Sequence, residues 1–345
     1  MKTIWVVAFL FTCNALVVAD DGGVHGVGGS AELIKPEHSS IRMIREQVNA
    51  QVLRSWRTPP RVRCEFVFKN EGKATTVKMG FPEMSAGELA PIPDKNVTAL
   101  DGYLSWVDGK PVKTRIVPSR NNGDQNYQAW HIKDVSFAAG QTRTIVDSYS
   151  GGMGGDVDGN RWFNYILKTG ASWKGPIGKA AIKVNIKDML HTYKIDRIEP
   201  QGYKKNDGIV SWTLTNIEPK QNISIAFSPL VIIMINDTPM GPLLYERINN
   251  TSMALASELS NALAADFAIN RGVYIISKAH HKLKMTAESK TATLDSKRLT
   301  LPVAPYVGRN NENKPDLVVP VATVIKALGG MVKLSKDGQF LNIKI

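Results

Sequence analysis

Hydrophobic and polar positions follow two different rhythms along this chain. Up to about Pro229, apolar residues alternate with polar ones in short runs: Val62, Cys64, Phe66 and Phe68 are interleaved with Arg61, Arg63, Glu65 and Lys69. A period of two puts one set on the buried face of a strand and the other toward water, so Cys64 is expected inside. Asn70-Glu71-Gly72, Asp108-Gly109, Asn121-Asn122-Gly123 and Asp207-Gly208 supply turn chemistry between such runs. Trp106-Val107 and Lys110-Pro111-Val112 flank one of these turns and read as a hairpin. Many short strands at short intervals predict a β-sandwich-like domain over residues 30–229. Ser39 to Leu53 fits a helix, though loosely, because of its polarity and its two valines.

Beyond Pro229 the rhythm changes and the text is written nearly twice. Ile235-Asn236-Asp237-Thr238-Pro239-Met240 leads to the helical pattern Met253 to Ala265 and then to Val273-Tyr274-Ile275-Ile276. Leu294-Asp295-Ser296-Lys297-Arg298-Leu299 leads likewise to Val318 to Leu328 and then to Phe340-Leu341-Asn342-Ile343. The copies lie roughly 60 to 65 residues apart, the signature of a duplicated supersecondary unit. Ser252 is placed to cap a first helix with Leu255, Leu259 and Leu263 as its stripe. Pro320 suits the first turn of a second, and Gly329-Gly330 its end. The expected fold is therefore α+β and multidomain: the sandwich, then a duplicated strand-loop-helix-strand domain over 230–345, with repeats at about 230–279 and 290–345.

Lys2, the apolar run Ile4 to Leu10 and the small-residue exit Val17-Val18-Ala19 have the parts of a secretory signal over residues 1–19. The segment 20–29 is Gly-rich and expected to be loose. Export would place the protein outside the cell, on its surface or in a periplasm. Once Cys13 leaves with the signal, Cys64 is the one remaining cysteine, so an intramolecular disulfide is excluded. The chain has 43 Lys and Arg against 31 Asp and Glu, a formal charge of +12. That excess is spread through the chain, which reads as a solvated basic surface or, as a functional reading outside a cell, as attraction to an anionic cell-wall polymer or surface polysaccharide, not to nucleic acid.

The candidate chemistry is sparse. Asp156-Val157-Asp158-Gly159-Asn160 resembles the start of a calcium loop, which makes Asp156, Asp158 and Asn160 the metal candidates, but the closing acid of an EF-hand falls on Leu167. Trp56, Trp106, Trp130, Trp162, Trp173 and Trp212 offer faces for core packing or for stacking on sugar rings. Asp156 with Asp158, or Glu83 with Glu88, are the carboxylate pairs open to a glycan hydrolase. There is no Gly-x-Ser-x-Gly elbow and no His-Glu-x-x-His sequence, so no catalytic residue is assigned. His280 and His281 would point to opposite faces of an extended strand.

Two resemblances add to this reading. Ala292 to Tyr306, Leu317-Val318-Val319-Pro320-Val321 and Ala327-Leu328-Gly329-Gly330-Met331-Val332 resemble the copper amine oxidase N-terminal-like domain, a stalk module of exported bacterial proteins. The likeness covers about Val231 to Ile345 and is degenerate in the first copy, where Ala264-Ala265 stands in place of the glycine pair. It implies neither copper nor amine oxidation, since the stalk holds no copper and the histidines here show no His-x-His spacing. Arg61 to Asn70, Met79-Gly80-Phe81-Pro82-Glu83 and Tyr165 to Trp173 with Gly175-Pro176-Ile177-Gly178 are similar to the bacterial exported family of unknown function numbered forty-four twenty-four. That second likeness implies an exported β-rich domain and no known activity.

Together these features lead to a non-catalytic exported bacterial envelope protein that binds or scaffolds at the wall or at surface polysaccharide, without a cofactor. The alternative is an envelope enzyme acting on glycans, and a carboxylate pair with shifted pKa values in a cleft would distinguish it.

Overall fold

The structure is a computed structural model, and it describes residues 18–19, 22–27, 30–33, 39–54, 59–84, 100–119, 127–151, 153–156, 159–240, 245–310 and 314–345. It is nearly all β, 62% strand and 8% helical, with two α-helices among the described residues. This corrects the α+β expectation for the second half of the chain.

The first half is built on an eight-stranded sheet with the order Lys204–Asn206, Ile209–Ile217, Ile177–Asn185, Ile41–Gln51, Arg61–Asn70, Thr142–Gly151, Leu100–Val107, Lys110–Val112. Two five-stranded sheets lie across its inner face. One is centred on Thr75–Met84 and Tyr127–Phe137, the other on Arg161–Ile166 and Ile223–Pro229. Alternation drives the packing: Val62, Cys64, Phe66 and Phe68 are all buried, in one core that runs from Ile41 to Phe227. Asp108 and Gly109 take φ of 50° and 76°, the left-handed pair of a two-residue hairpin turn, and Asp207 and Gly208 do the same. The segment Gly22–Val27, expected to be loose, is a strand paired with Ser30–Leu33 and with Met79 and Gly80.

Ile41–Gln51 is a strand and not a helix. Its register slips between Met43 and Arg45, where Ile44 is inserted as a bulge. The bulge resets the inward parity from Ile41 and Met43 to Glu46, Val48 and Ala50. Gly178 on the neighbouring strand makes room for it, because a Cβ there would lie 2.5 Å from the Ile44 carbonyl oxygen.

The second half gathers its own core from Val231 to Ile343. Met253–Leu255 and Val318–Pro320, expected to lie within helices, pair with each other as antiparallel strands. Only after them do the helices α1 (Ala256–Ala262) and α2 (Val321–Ala327) begin, each seven residues long. Ser252 therefore lies in a strand, and Leu255 and Pro320 hold the N-cap positions. The unit that recurs is hairpin, hairpin, short helix, hairpin, in place of strand-loop-helix-strand. One sheet, Glu246–Ile248, Thr251–Leu255, Pro315–Pro320, Tyr306–Arg309, takes two strands from each copy. In another, Ile232–Ile235 from the first copy pairs in parallel with Phe340–Lys344 from the second.

Candidate functional site

The outer face of the eight-stranded sheet is open to solvent, and its chemistry follows from the same alternation that fills the core. Residues of opposite parity to Val62, Cys64 and Phe66 are Arg61, Arg63 and Glu65; those opposite to Ala180, Ile182 and Val184 are Lys179, Ala181 and Lys183. Register aligns them into rows. One row runs Lys204, Ser211, Lys183, Asn49, Arg63, Ser148, Leu104 across seven strands. At about 4.8 Å per strand such a row is close to 30 Å long. The row beside it carries Thr213, Ala181, Gln47, Glu65, Val146 and Trp106. Arg45, Arg61, Arg63, Lys69, Lys179 and Lys183 are all exposed on this face. Glu65 is half-buried and accepts a hydrogen bond from Arg45 Nη2 at 2.7 Å. The result is a cationic surface with amide and hydroxyl groups between the charges, a half-buried tryptophan near one edge and Leu104 exposed beside it.

The interior holds a second polar group, between the sheet of Tyr127–Phe137 and that of Thr142–Gly151. Lys133 Nζ donates to both carboxylate oxygens of Asp147 at 2.9 and 2.8 Å, with the two side chains 1% and 0% exposed. His131 is hydrogen-bonded to Glu83, both buried, and the Tyr103 ring stacks on the imidazole at 4.2 Å between centroids. Elsewhere in the core, Glu46 accepts a hydrogen bond from the Tyr165 hydroxyl at 2.8 Å, while its other carboxyl oxygen has no partner among the described residues. Burial pushes the Glu46 carboxyl up to about 8, against a smaller opposing effect of that hydrogen bond.

These positions bear on the candidate residues one by one. The Asp156 carboxylate accepts from the backbone N–H of Asn160 at 2.9 Å and from its Nδ2 at 2.8 Å, which closes the loop on itself. Asp158, Glu88 and Trp56 lie outside the described residues. Among the described residues no group of three or more His, Cys, Asp or Glu side chains is placed to hold a metal ion. Glu83 faces His131 inside the sandwich, and among the described residues the carboxyl with a strongly raised pKa, Glu46, is in the core and not in a cleft. Trp130, Trp173 and Trp212 are buried, Trp173 against Phe68 at 4.8 Å and Trp212 with its Nε1 donating to the Pro200 carbonyl. Among the described residues, Trp106 is the tryptophan carried by the open face. His280 and His281 do not diverge: a turn with Ala279 at φ 51° brings their rings to 4.7 Å, and His281 Nδ1 is hydrogen-bonded to Asp295 at 2.7 Å.

Sequence reasoning saw the excess of positive charge but not where it gathers. The signal was present in the outward parity of Arg61-x-Arg63 and Lys179-x-x-x-Lys183, yet their alignment depends on strand order, which puts Ile177–Asn185 in parallel beside Ile41–Gln51. Lys133 and Asp147 were missed because a charged residue at an inward position has no sequence signature of its own.

No known family model matches the chain. No curated protein is similar to it at a significant level. Among solved structures, the chain is similar to a protein of Legionella pneumophila described as a candidate nutrient binding protein, with a TM-score of 0.50 and 21% identity over 62% of this chain and 71% of that one. That likeness shows a shared β fold. Structures of an M1 zinc metallopeptidase from Deinococcus radiodurans, and of a mutant of it bound to a Tyr-Ser-Ala substrate, also align, at TM-scores of 0.26 and 0.27 and 8% identity, over 55% of this chain and 42% of theirs. The chain thus spans less than half of those peptidases. No helix among the described residues is long and apolar enough to cross a membrane.

Proposed function

We propose that this is an exported bacterial envelope protein that binds rather than catalyses, and that the open face of the eight-stranded sheet is its contact surface for an anionic cell-wall polymer or surface polysaccharide. The observation that carries the reading is the in-register row through Lys183, Asn49 and Arg63, with Arg45, Arg61 and Lys179 around it. Cations spaced along one face of a sheet suit a repeating anion, because an extended polymer meets several of them at once and the gain is multiplied along its length. Asn49, Gln47 and Ser148 offer hydrogen bonds to hydroxyl groups between the charges, and Trp106 offers a ring face to a sugar. The Legionella pneumophila protein's description as a nutrient binder agrees with a binding role. Among the described residues, Glu83 and Glu46 are enclosed in the core, which gives these two no open face toward a glycan.

Co-sedimentation with purified bacterial cell walls across a salt series tests the reading. The wild-type chain is expected to bind at low salt and to release as salt rises, since exposed charges are screened within about 10 Å at 0.1 M. The double variant Arg63→Glu with Lys183→Glu is expected to bind about tenfold or more weakly, a loss of roughly 1.4 kcal/mol or more. Equal retention of the variant, or retention indifferent to salt, would reject this face as the contact surface.

A further inference from the structure

We propose that Lys133 and Asp147 become joined by an isopeptide bond, a covalent tie between two sheets of the first half. Geometry comes first. Lys133 Nζ lies 2.9 and 2.8 Å from the two oxygens of Asp147, so the nitrogen is already against the carboxyl group it would attack. Both residues are held by their neighbours: Lys133 sits opposite Met79 within a long antiparallel ladder, and Asp147 lies between Cys64 on one strand and Ser105 on the other. Reactants fixed in contact on rigid strands react as one molecule, with effective concentrations that reach about 10⁵ M or more.

The surroundings favour the amide. Phe81, Tyr103 and Tyr149 form an aromatic cluster beside the pair, with ring centroids 5.1 to 6.3 Å apart. The two side chains are 1% and 0% exposed, so water released in the reaction does not readily return to hydrolyse the product. A buried ion pair carries the desolvation cost of two charges, and a neutral amide carries neither.

The step balances without any co-reactant. One proton passes from the Lys133 ammonium to an Asp147 oxygen, which gives an amine beside a carboxylic acid. The amine lone pair attacks Cγ. A second proton leaves nitrogen for the departing hydroxyl, the Cγ–O bond breaks, the Cγ–Nζ amide remains, and one water is lost. The Tyr103 hydroxyl, 3.5 Å from Nζ, is placed to relay that second proton. Nothing is oxidised or reduced.

Intact-mass spectrometry of the denatured full chain, followed by tryptic mapping, tests this directly. The expected mass is lower than the sequence mass by one water, with no cleavage after Lys133 and a branched peptide that contains both Lys133 and Asp147. Lys133→Arg keeps the charge pair but cannot form this amide, and it is expected at its full sequence mass. A wild-type chain at full sequence mass with normal cleavage after Lys133 overturns the proposal, whether or not any variant folds. A water also missing from Lys133→Arg would place the dehydration elsewhere and overturn it equally.

Discussion

A single carboxyl group shows how much one residue can set the behaviour of this fold. Glu46 lies at the centre of a strand, inward only because the bulge at Ile44 turns it there, and its carboxyl titrates at about 8 against an ordinary 4.5. The unfolded chain releases that proton near 4.5, whereas the folded chain keeps it up to about 8. Across that window the folded state binds more protons, so the stability linked to Glu46 is full at the acid end and is lost as pH rises. The slope is up to roughly 1.4 kcal/mol per pH unit, a few kcal/mol in all. Glu46→Gln keeps an oxygen for the Tyr165 hydroxyl and has no proton to lose. Denaturant midpoints for the variant are therefore expected to fall much less between acid and mildly alkaline pH than those of the wild type. Equal slopes for the two proteins would show that Glu46 does not keep its proton in the folded state. None of this was legible in the sequence, where Glu46 sits in a polar stretch, Ile41 to Gln51, whose broken alternation fits a helix as well as a strand. The inserted residue destroys the period of two that would have marked the strand.

At the scale of an element, the two copies of the second half run a controlled comparison on helix termination. After α2, Gly329 takes φ 86° and the N–H of Gly330 bonds back to the Ile325 carbonyl at 2.9 Å. After α1 the same closure forms, with Ala265 N–H to the Ser260 carbonyl at 2.9 Å, but the left-handed position is held by Ala264 at φ 49°. The missing glycine pair thus leaves the geometry intact and adds strain, since a Cβ in that region costs roughly 1–2 kcal/mol. Ala264→Gly is expected to stabilise the protein by about 0.5–1 kcal/mol, part of the relief being offset by the freer unfolded chain. A denaturation midpoint that moves the other way would mean that the Ala264 methyl group contributes packing that outweighs its strain. The repeated text was visible in the sequence, but the turns at Asn236-Asp237 and Asp295-Ser296 inside it were not read as turns, although all four residues have positive φ. The helices were over-read because each follows directly on an apolar strand: Met253–Leu255 runs into α1 and Val318–Pro320 into α2, and a continuous apolar run does not announce where one structure ends and the next begins.

For the whole molecule the question is how the two cores are coupled. Arg54 stands at the junction. Its backbone N–H donates to Asp188 at 2.8 Å, its Nη1 donates to Glu246 at 3.1 Å, and its guanidinium lies over the Tyr245 ring at 4.5 Å. The Thr192 hydroxyl donates to the Tyr245 carbonyl at 2.7 Å on the same seam. Asp188 and Thr192 belong to the first half and Tyr245 and Glu246 to the second, so this one side chain ties a loop that follows a strand of the sandwich to a hairpin of the other core. No sequence rule could have found it, because the partners are more than a hundred residues apart and none of them is part of a motif. A half-buried arginine that combines an ion pair with a cation–π contact contributes about 1–3 kcal/mol. That is enough to hold two cores in one cooperative unit and little enough to remove without unfolding either. Arg54→Ala is accordingly expected to split a single calorimetric unfolding peak into two, each core then melting on its own, while the peak of the wild type stays single. One peak in the variant, merely shifted down, would show that other contacts between the halves, such as the Thr192 hydroxyl on the Tyr245 carbonyl, carry the coupling and that Arg54 only adds to it.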